Sequence, residues 1–190
     1  MLYHASPVGG LTELRPHISN HGISLLYFSQ KRENTLVYLS NAVEKYCRET
    51  GFDYNGPWKK WGPYGFTEDG RQRIEEYYPH ALEETYRGVS GYIYTAERVI
   101  RRGPPVQIMD TVTSRGPVAV TGCEYIPDAL EAILQAEREG LLVLRRYEEM
   151  TEKEADWSGR TVREEYRQAE DHPEYRYFLQ AKFHIDPASL

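Results

Sequence analysis

The alternation of apolar and polar residues predicts short strands in the first and middle parts of the chain. Leu2–Ala5 and Leu25–Ser29 are rich in apolar and aromatic residues, and residues 91–100 alternate as a half-buried strand does. Two further strands are predicted at 105–114 and 117–126, on either side of an Arg-Gly pair. Thr35–Leu39 fits either another strand or the first turn of a helix.

Helices are predicted between and after these strands. Residues 41–51 carry an apolar face and end at Gly51, and residues 127–140 begin with proline, continue amphipathically and end with glycine. Residues 71–87 also fit a helix, interrupted at Pro79. The segment 141–147 fits either a strand or further helical packing, and residues 147–183 are charged and mostly helical in pattern.

This order of elements predicts an α+β fold, because the pattern lacks the regular strand–helix alternation of a parallel sheet. With 190 residues, the chain has the length of one domain with an appendage. We expect a domain over residues 1–146 and a helical C-terminal extension over 147–190, packed on it.

Residues 52–70 form a long irregular stretch that contains glycines, prolines and many aromatic residues. Loops of this length in a compact domain are usually functional. The stretch therefore fits a lid, a contact surface for a partner, or a plain surface loop. The residues that would form the contact surface are Trp58, Lys59, Lys60, Trp61 and Tyr64.

Composition and charge exclude several classes of function. The net charge of −6 argues against sequence-independent binding to nucleic acid and against binding to anionic membranes. Cys47 and Cys123 are far apart and form no CxxC motif, which argues against a disulfide framework or a zinc site. No apolar run is long enough to cross a bilayer, and the pattern of a secretory leader is missing, so we expect a cytoplasmic protein.

The motifs of common cofactor and nucleophile sites are also missing. The chain has neither GxGxxG nor a P-loop, and no GxSxG elbow. His17 and His21 stand four residues apart, but Pro16 and Gly22 bracket them in a predicted loop. A structural zinc ion needs four ligands, so we predict no metal site.

Three short motifs in the first quarter of the chain occur in a distinctive order. They are LYHA at 2–5, SLLYFS at 24–29 and TLVY at 35–38, with Tyr27 and Tyr38 eleven residues apart. In order and spacing they resemble the ADP-ribosyltransferase superfamily, in the branch of the poly(ADP-ribose) polymerases and diphtheria toxin. That branch is recognised by a histidine on the first strand, a downstream tyrosine and a glutamate on a later strand.

The resemblance implies the split antiparallel sheet of that superfamily, with flanking helices, and NAD as co-substrate. In it, His4 would hydrogen-bond the adenosine-side ribose, and Tyr27 and Tyr38 would enclose the nicotinamide ring. The backbone of Ala5 would meet the carboxamide where the family has glycine, and Thr35 occupies the family's serine position. The NAD-binding set that the resemblance implies is His4, Ala5, Tyr27, Ser29, Thr35 and Tyr38.

The third member of the family's triad, beside His4 and Tyr38, is a glutamate late in the sheet. We assign it to Glu124, which lies on a predicted strand just before a proline-initiated helix, with Glu97 as the second choice. A carboxylate beside the ribose stabilises the oxocarbenium-like centre that forms when the nicotinamide bond breaks. The plain alternative for Glu124 is an exposed strand carboxylate.

Three functions follow as hypotheses. The first is ADP-ribosyl transfer or NAD hydrolysis, with Glu124 as the key carboxylate and an acceptor (protein, nucleic acid or small molecule) that the motifs do not select. The second is a non-catalytic interaction protein on the same fold. The third is an RNA 2′-phosphotransferase, which would require basic residues in the cleft; the candidates are Arg15, Lys31 and Arg32.

Overall fold

A computed structural model describes residues 1–18, 23–56, 58, 59, 61 and 64–186. Within these residues the chain is mixed α/β, with antiparallel sheets and five α-helices. The strands are β1 (Leu2–Ser6), β2 (Glu13–Leu14), β3 (His17–Ile18), β4 (Ser24–Ser29), β5 (Tyr64–Phe66), β6 (Gln72–Glu75), β7 (Gly91–Ala96), β8 (Thr111–Ser114), β9 (Val118–Ala119), β10 (Gly122–Ile126) and β11 (Leu142–Arg145). The helices are α1 (Ala42–Thr50), α2 (Ala81–Tyr86), α3 (Ala129–Arg138), α4 (Glu152–Gln168) and α5 (Pro173–Phe183), with 3-10 helices η1 (Glu33–Tyr38) and η2 (Tyr147–Glu149).

The chain divides into two compact units, each built from three segments. Unit 1 comprises Met1–Leu39, Phe66–Arg73 and Tyr86–Val143. Unit 2 comprises Ser40–Gly65, Ile74–Thr85 and Leu144–Leu190. The α+β class expected from the sequence is confirmed, whereas the boundary at residue 146 stays a prediction.

The main sheet of unit 1 has the strand order β10-β7-β1-β4-β3, and β8 also pairs with β4. β1 lies antiparallel to β7 over five residue pairs, from Leu2↔Ala96 to Ser6↔Tyr92. The register of β1 with β4 contains the single pair Tyr3↔Ser29. The His4 ring adds a contact between these two strands, because its Nδ1 lies 2.8 Å from the Tyr27 carbonyl oxygen.

The two faces of this sheet carry different residues, because side chains alternate along a strand and directly paired residues share a face. One face carries His4, which is paired with Tyr94. This face packs into a hydrophobic core to which residues of β2 and β9 also contribute. The buried residues of that core are Leu2, Leu14, Leu26, Phe28, Tyr94, Ala96 and Val118. The other face carries Ala5 and Glu124, both paired with Ile93. We call these the His4 face and the Glu124 face.

Local sequence explains where α1 begins and ends and where α3 begins. Asn41 caps α1 by accepting hydrogen bonds from the backbone of Val43 and Glu44, and Gly51 ends it with a φ of 78°. Asp128 caps α3 through the Glu131 amide. These side chains satisfy helix-end donors, and glycine adopts the left-handed conformation at no steric cost.

Unit 2 has an aromatic core in which α5 packs against α1 and α4. Trp61, only 2% exposed, donates from its indole nitrogen to the Tyr175 hydroxyl at 2.9 Å. Trp58 stacks on the same tyrosine with ring centroids 4.5 Å apart. The buried members of this core are Ala42, Val43, Cys47, Trp61, Tyr78, Ala81, Val162, Tyr166, Ala169, Tyr175, Phe178 and Leu179.

Four sequence predictions about elements were wrong in part. The strand predicted at 105–114 forms only over Thr111–Ser114, and the one predicted at 117–126 is two strands, β9 and β10, that belong to different sheets. Residues 71–87 form a strand, Gln72–Glu75, and then the short helix α2, instead of one interrupted helix. The buried Glu76 explains the break, because its carboxylate accepts hydrogen bonds from the amides of Leu82 and Tyr147. The strand predicted over residues 91–100 ends at Ala96, so Glu97 lies beyond it.

The described residues contain no helix that is both long and apolar enough to cross a membrane.

Acid should weaken unit 2 through Glu154 at the start of α4. Hydrogen bonds from the Thr151 side chain and backbone, and then from Arg145, lower the pKa of Glu154 from 4.5 to about 2. A group whose pKa is lowered by folding stabilises the folded state above its unfolded pKa. We expect this contribution to be lost as the pH falls from 4.5 towards 2.

Urea unfolding at stepped pH values measures this loss. Thr151→Ala should flatten the acid limb of the stability curve. Glu152→Gln in the same helical turn is the control, and an equally flattened curve for that variant would contradict the assignment to Glu154.

Candidate functional site

A carboxylate–guanidinium pair stands at the edge of the Glu124 face. Glu124 lies on the edge strand β10, and Arg32 is the residue that precedes η1. The Arg32 Nε donates to Glu124 Oε2 at 2.7 Å, and one terminal nitrogen donates to Oε1 at 2.5 Å. The side chains are 50% exposed for Glu124 and 35% for Arg32. This two-bond geometry fixes the orientation of a carboxylate that stays open to solvent.

The backbone at Arg32 is fixed independently of its side chain. Its carbonyl accepts from the Thr35 amide at 3.0 Å and from the Thr35 hydroxyl at 2.6 Å. The hydrogen bonds that Arg32 donates to Glu124 raise the pKa of Arg32, so the guanidinium is permanently charged. Thr35 is buried. Because its hydroxyl donates to the Arg32 carbonyl, this side chain stabilises the first turn of η1.

His4 lies half-buried on β1, beside β4. Its Nδ1 is 2.8 Å from the Tyr27 carbonyl oxygen, and its ring lies 5.9 Å from that of Phe28. Burial lowers the pKa of His4 below 6.5, so the ring is neutral at pH 7. Because a carbonyl only accepts, Nδ1 must carry the proton, which leaves Nε2 as an acceptor.

Three of the other residues predicted to bind NAD lie on the Glu124 face. Ala5 shares a row with Glu124 through Ile93. Tyr3 lies two residues before Ala5 on β1 and therefore points to the same face. Ser29 pairs with Tyr3, so Ser29 and Tyr27, two residues before it on β4, also point to the Glu124 face. Tyr27 is half-buried, whereas Ala5 and Ser29 are buried.

Tyr38 ends η1 and is 40% exposed. η1 packs against β1, β4 and α3, so this tyrosine lies within unit 1 beside the strands that carry the other residues. It is the most exposed aromatic side chain of the implied NAD-binding set.

The structure thus brings together part of the predicted set. Glu124, Ala5, Tyr27 and Ser29 share one side of the sheet, and Thr35 and Tyr38 lie on the 3-10 helix that packs against it. His4 points to the opposite side, because its partner Tyr94 pairs with Cys123 rather than with Glu124.

The three candidate basic residues each contact a carboxylate. Arg15 donates to Glu13 at 2.9 Å on the surface. Lys31 lies 3.0 Å from an Asp110 carboxylate oxygen and also donates to the Gly70 carbonyl. Arg32 likewise donates to Glu124. All three basic side chains are therefore paired with carboxylates, and no observation favours a phosphotransferase, which would need them to bind phosphate.

Sequence reasoning missed the pairing of Arg32 with Glu124. The two residues are 92 positions apart, and nothing in local pattern or periodicity links them. In the sequence Arg32 is only one of three candidate basic residues for a phosphotransferase cleft, so the fold was needed to show its partner.

The aromatic stretch 52–70 also differs from the expected contact surface. Trp61 is buried because its ring packs in unit 2 and its indole nitrogen is satisfied by Tyr175. Lys59 lies 3.6 Å from Glu165, Tyr64 begins β5, and Lys60 lies outside the described residues. Trp61 is therefore part of the core and takes no part in a contact surface.

In the part of the chain that the structure describes, no three His, Cys, Asp or Glu side chains lie close enough together to bind a metal ion. His17 is exposed on β3, and His21 lies outside the described residues.

No protein-family model matches the chain, and neither a curated protein nor a solved structure gives a significant match.

Proposed function

We propose that this protein breaks the bond between nicotinamide and ribose in NAD and transfers ADP-ribose to an acceptor or to water. The observation that carries the proposal is the exposed Glu124 carboxylate, fixed by two hydrogen bonds on the face that also carries Ala5, Tyr27 and Ser29. The resemblance to the ADP-ribosyltransferase superfamily supplies the chemistry. The antiparallel main sheet, in which β1 lies between β7 and β4, is consistent with that fold.

In this reaction nicotinamide leaves as a neutral molecule with the bonding electron pair, and the acceptor oxygen bonds to the ribose carbon and releases a proton. The transition state carries positive charge on the ribose. A carboxylate already oriented in the site stabilises that charge without reorganising at the moment of reaction. Glu124 meets this requirement because Arg32 holds both of its oxygens.

The tyrosines would bind the flat nicotinamide ring. Tyr27 is half-buried on β4, and Tyr38 is exposed at the end of η1. An aromatic pair of this kind contributes about 1 kcal/mol beyond the area it buries.

His4 has a different place in this proposal from the one that the resemblance implies. Because it points away from Glu124, we assign it the role of holding the Tyr27 carbonyl and so of positioning β4.

The experiment that tests the proposal is release of nicotinamide from NAD by the purified protein, followed by chromatography. We expect slow release without added acceptor, since water can take the acceptor's place. NAD binding is titrated calorimetrically in parallel. If the protein neither binds NAD nor releases nicotinamide, the proposal is wrong and a non-catalytic interaction protein is the better account.

A further inference from the structure

We propose that Arg32 is the positioning residue for Glu124, setting the orientation of the carboxylate on which catalysis depends. This inference rests on the proposed function and adds to it a residue that the resemblance does not supply. It starts from the pairing of an arginine at the beginning of η1 with a glutamate on an edge strand.

Glu124 needs such a partner because of where it stands. β10 is the last strand of its sheet and pairs only with β7 among the described strands. The residues beside Glu124, Cys123 and Tyr125, are both exposed. A half-exposed glutamate in such surroundings samples several rotamers, and fixing one of them costs side-chain entropy.

Arg32 is suited to supply that order in advance. Its guanidinium is planar and presents two parallel donors that match the two carboxylate oxygens. The observed bonds use Nε and one terminal nitrogen, with one oxygen for each. Each oxygen keeps a further lone pair, so the carboxylate can still accept a hydrogen bond from a ribose hydroxyl.

The base of the arginine is rigid as well. Thr35 binds the Arg32 carbonyl through both its amide and its hydroxyl. Since these contacts use the backbone of Arg32, replacing its side chain leaves the start of η1 intact. An activity change in such a variant therefore reports on the carboxylate rather than on folding.

The test compares Arg32→Ala and Arg32→Lys with wild type in nicotinamide release. We expect Arg32→Ala to lower kcat on the order of 100-fold, the effect of a small misplacement of a catalytic group, with KM for NAD little changed. Arg32→Lys keeps the positive charge but cannot form the two parallel bonds, so it should recover only a minor part of the loss. Guanidinium added to Arg32→Ala should restore activity in a saturable way.

Arg15→Ala is the matched control, because Arg15 also donates to a glutamate in unit 1 but lies on the exposed surface. It should retain full activity. Unchanged or raised kcat in Arg32→Ala overturns the assignment of Arg32 while leaving the proposed function standing. Full activity in Arg32→Lys shows that charge alone suffices and also overturns it. A wild type that neither binds NAD nor releases nicotinamide overturns the proposed function itself.

Discussion

Replacing Phe178 with alanine should lower the free energy of unfolding by about 3–5 kcal/mol, the range for removing a large buried aromatic side chain. Phe178 is completely buried in unit 2. Its ring meets the edge of Tyr46 at 5.6 Å and lies within aromatic contact distance of Tyr78 and Tyr175. The cavity left by alanine would remove contacts from several segments of the core at once.

Urea unfolding measures this effect, and the residue immediately before Phe178 supplies the contrast. Tyr177, on the same helix, is 48% exposed, and Tyr177→Ala should cost much less. A small loss for Phe178→Ala, or equal losses for the two variants, would contradict the described core of unit 2.

The second large effect is catalytic. Glu124→Gln should reduce the kcat for nicotinamide release by about 100- to 1,000-fold, the range for removing one preorganised electrostatic group from a transition state. Glutamine keeps the shape of the side chain and can still accept a hydrogen bond from Arg32, but it lacks the negative charge. We therefore expect NAD affinity to change little while turnover falls, as steady-state kinetics would show.

Glu97→Gln is the control for that variant. Glu97 is also an exposed glutamate of unit 1 and follows β7, the neighbour of β10. It should retain wild-type turnover. Equal losses in both variants would mean that the charge of the whole unit, and not the position of Glu124, controls the rate.

The strands and helices that sequence predicted well are those with strong local signals. α1 and α3 have a capping side chain at one end and a glycine at or just past the other, and both lie where the pattern placed them. The pattern of residues 71–87 predicts a helix, but residues 72–75 form a strand. Their identity depends on pairing with β11 and β5, and pairing between distant segments leaves no local trace.

In the candidate site, too, local motifs predict which element carries each residue, but not the direction in which its side chain points. Motifs within the first 38 residues place His4, Tyr27 and Tyr38 on β1, β4 and η1. The side of the sheet on which each points depends on register, and a shift of one residue reverses it. Register separates His4 from Glu124, and the distant packing of η1 brings Arg32 to that glutamate.

The most direct test of the central claim is the single-turnover rate of nicotinamide release, measured with protein in excess over NAD for wild type and Glu124→Gln together. The account predicts one full turnover by wild type and little release by the variant in the same time, with NAD bound to both. Equal release by the two proteins would show that Glu124 does not stabilise the reacting ribose and would contradict the account.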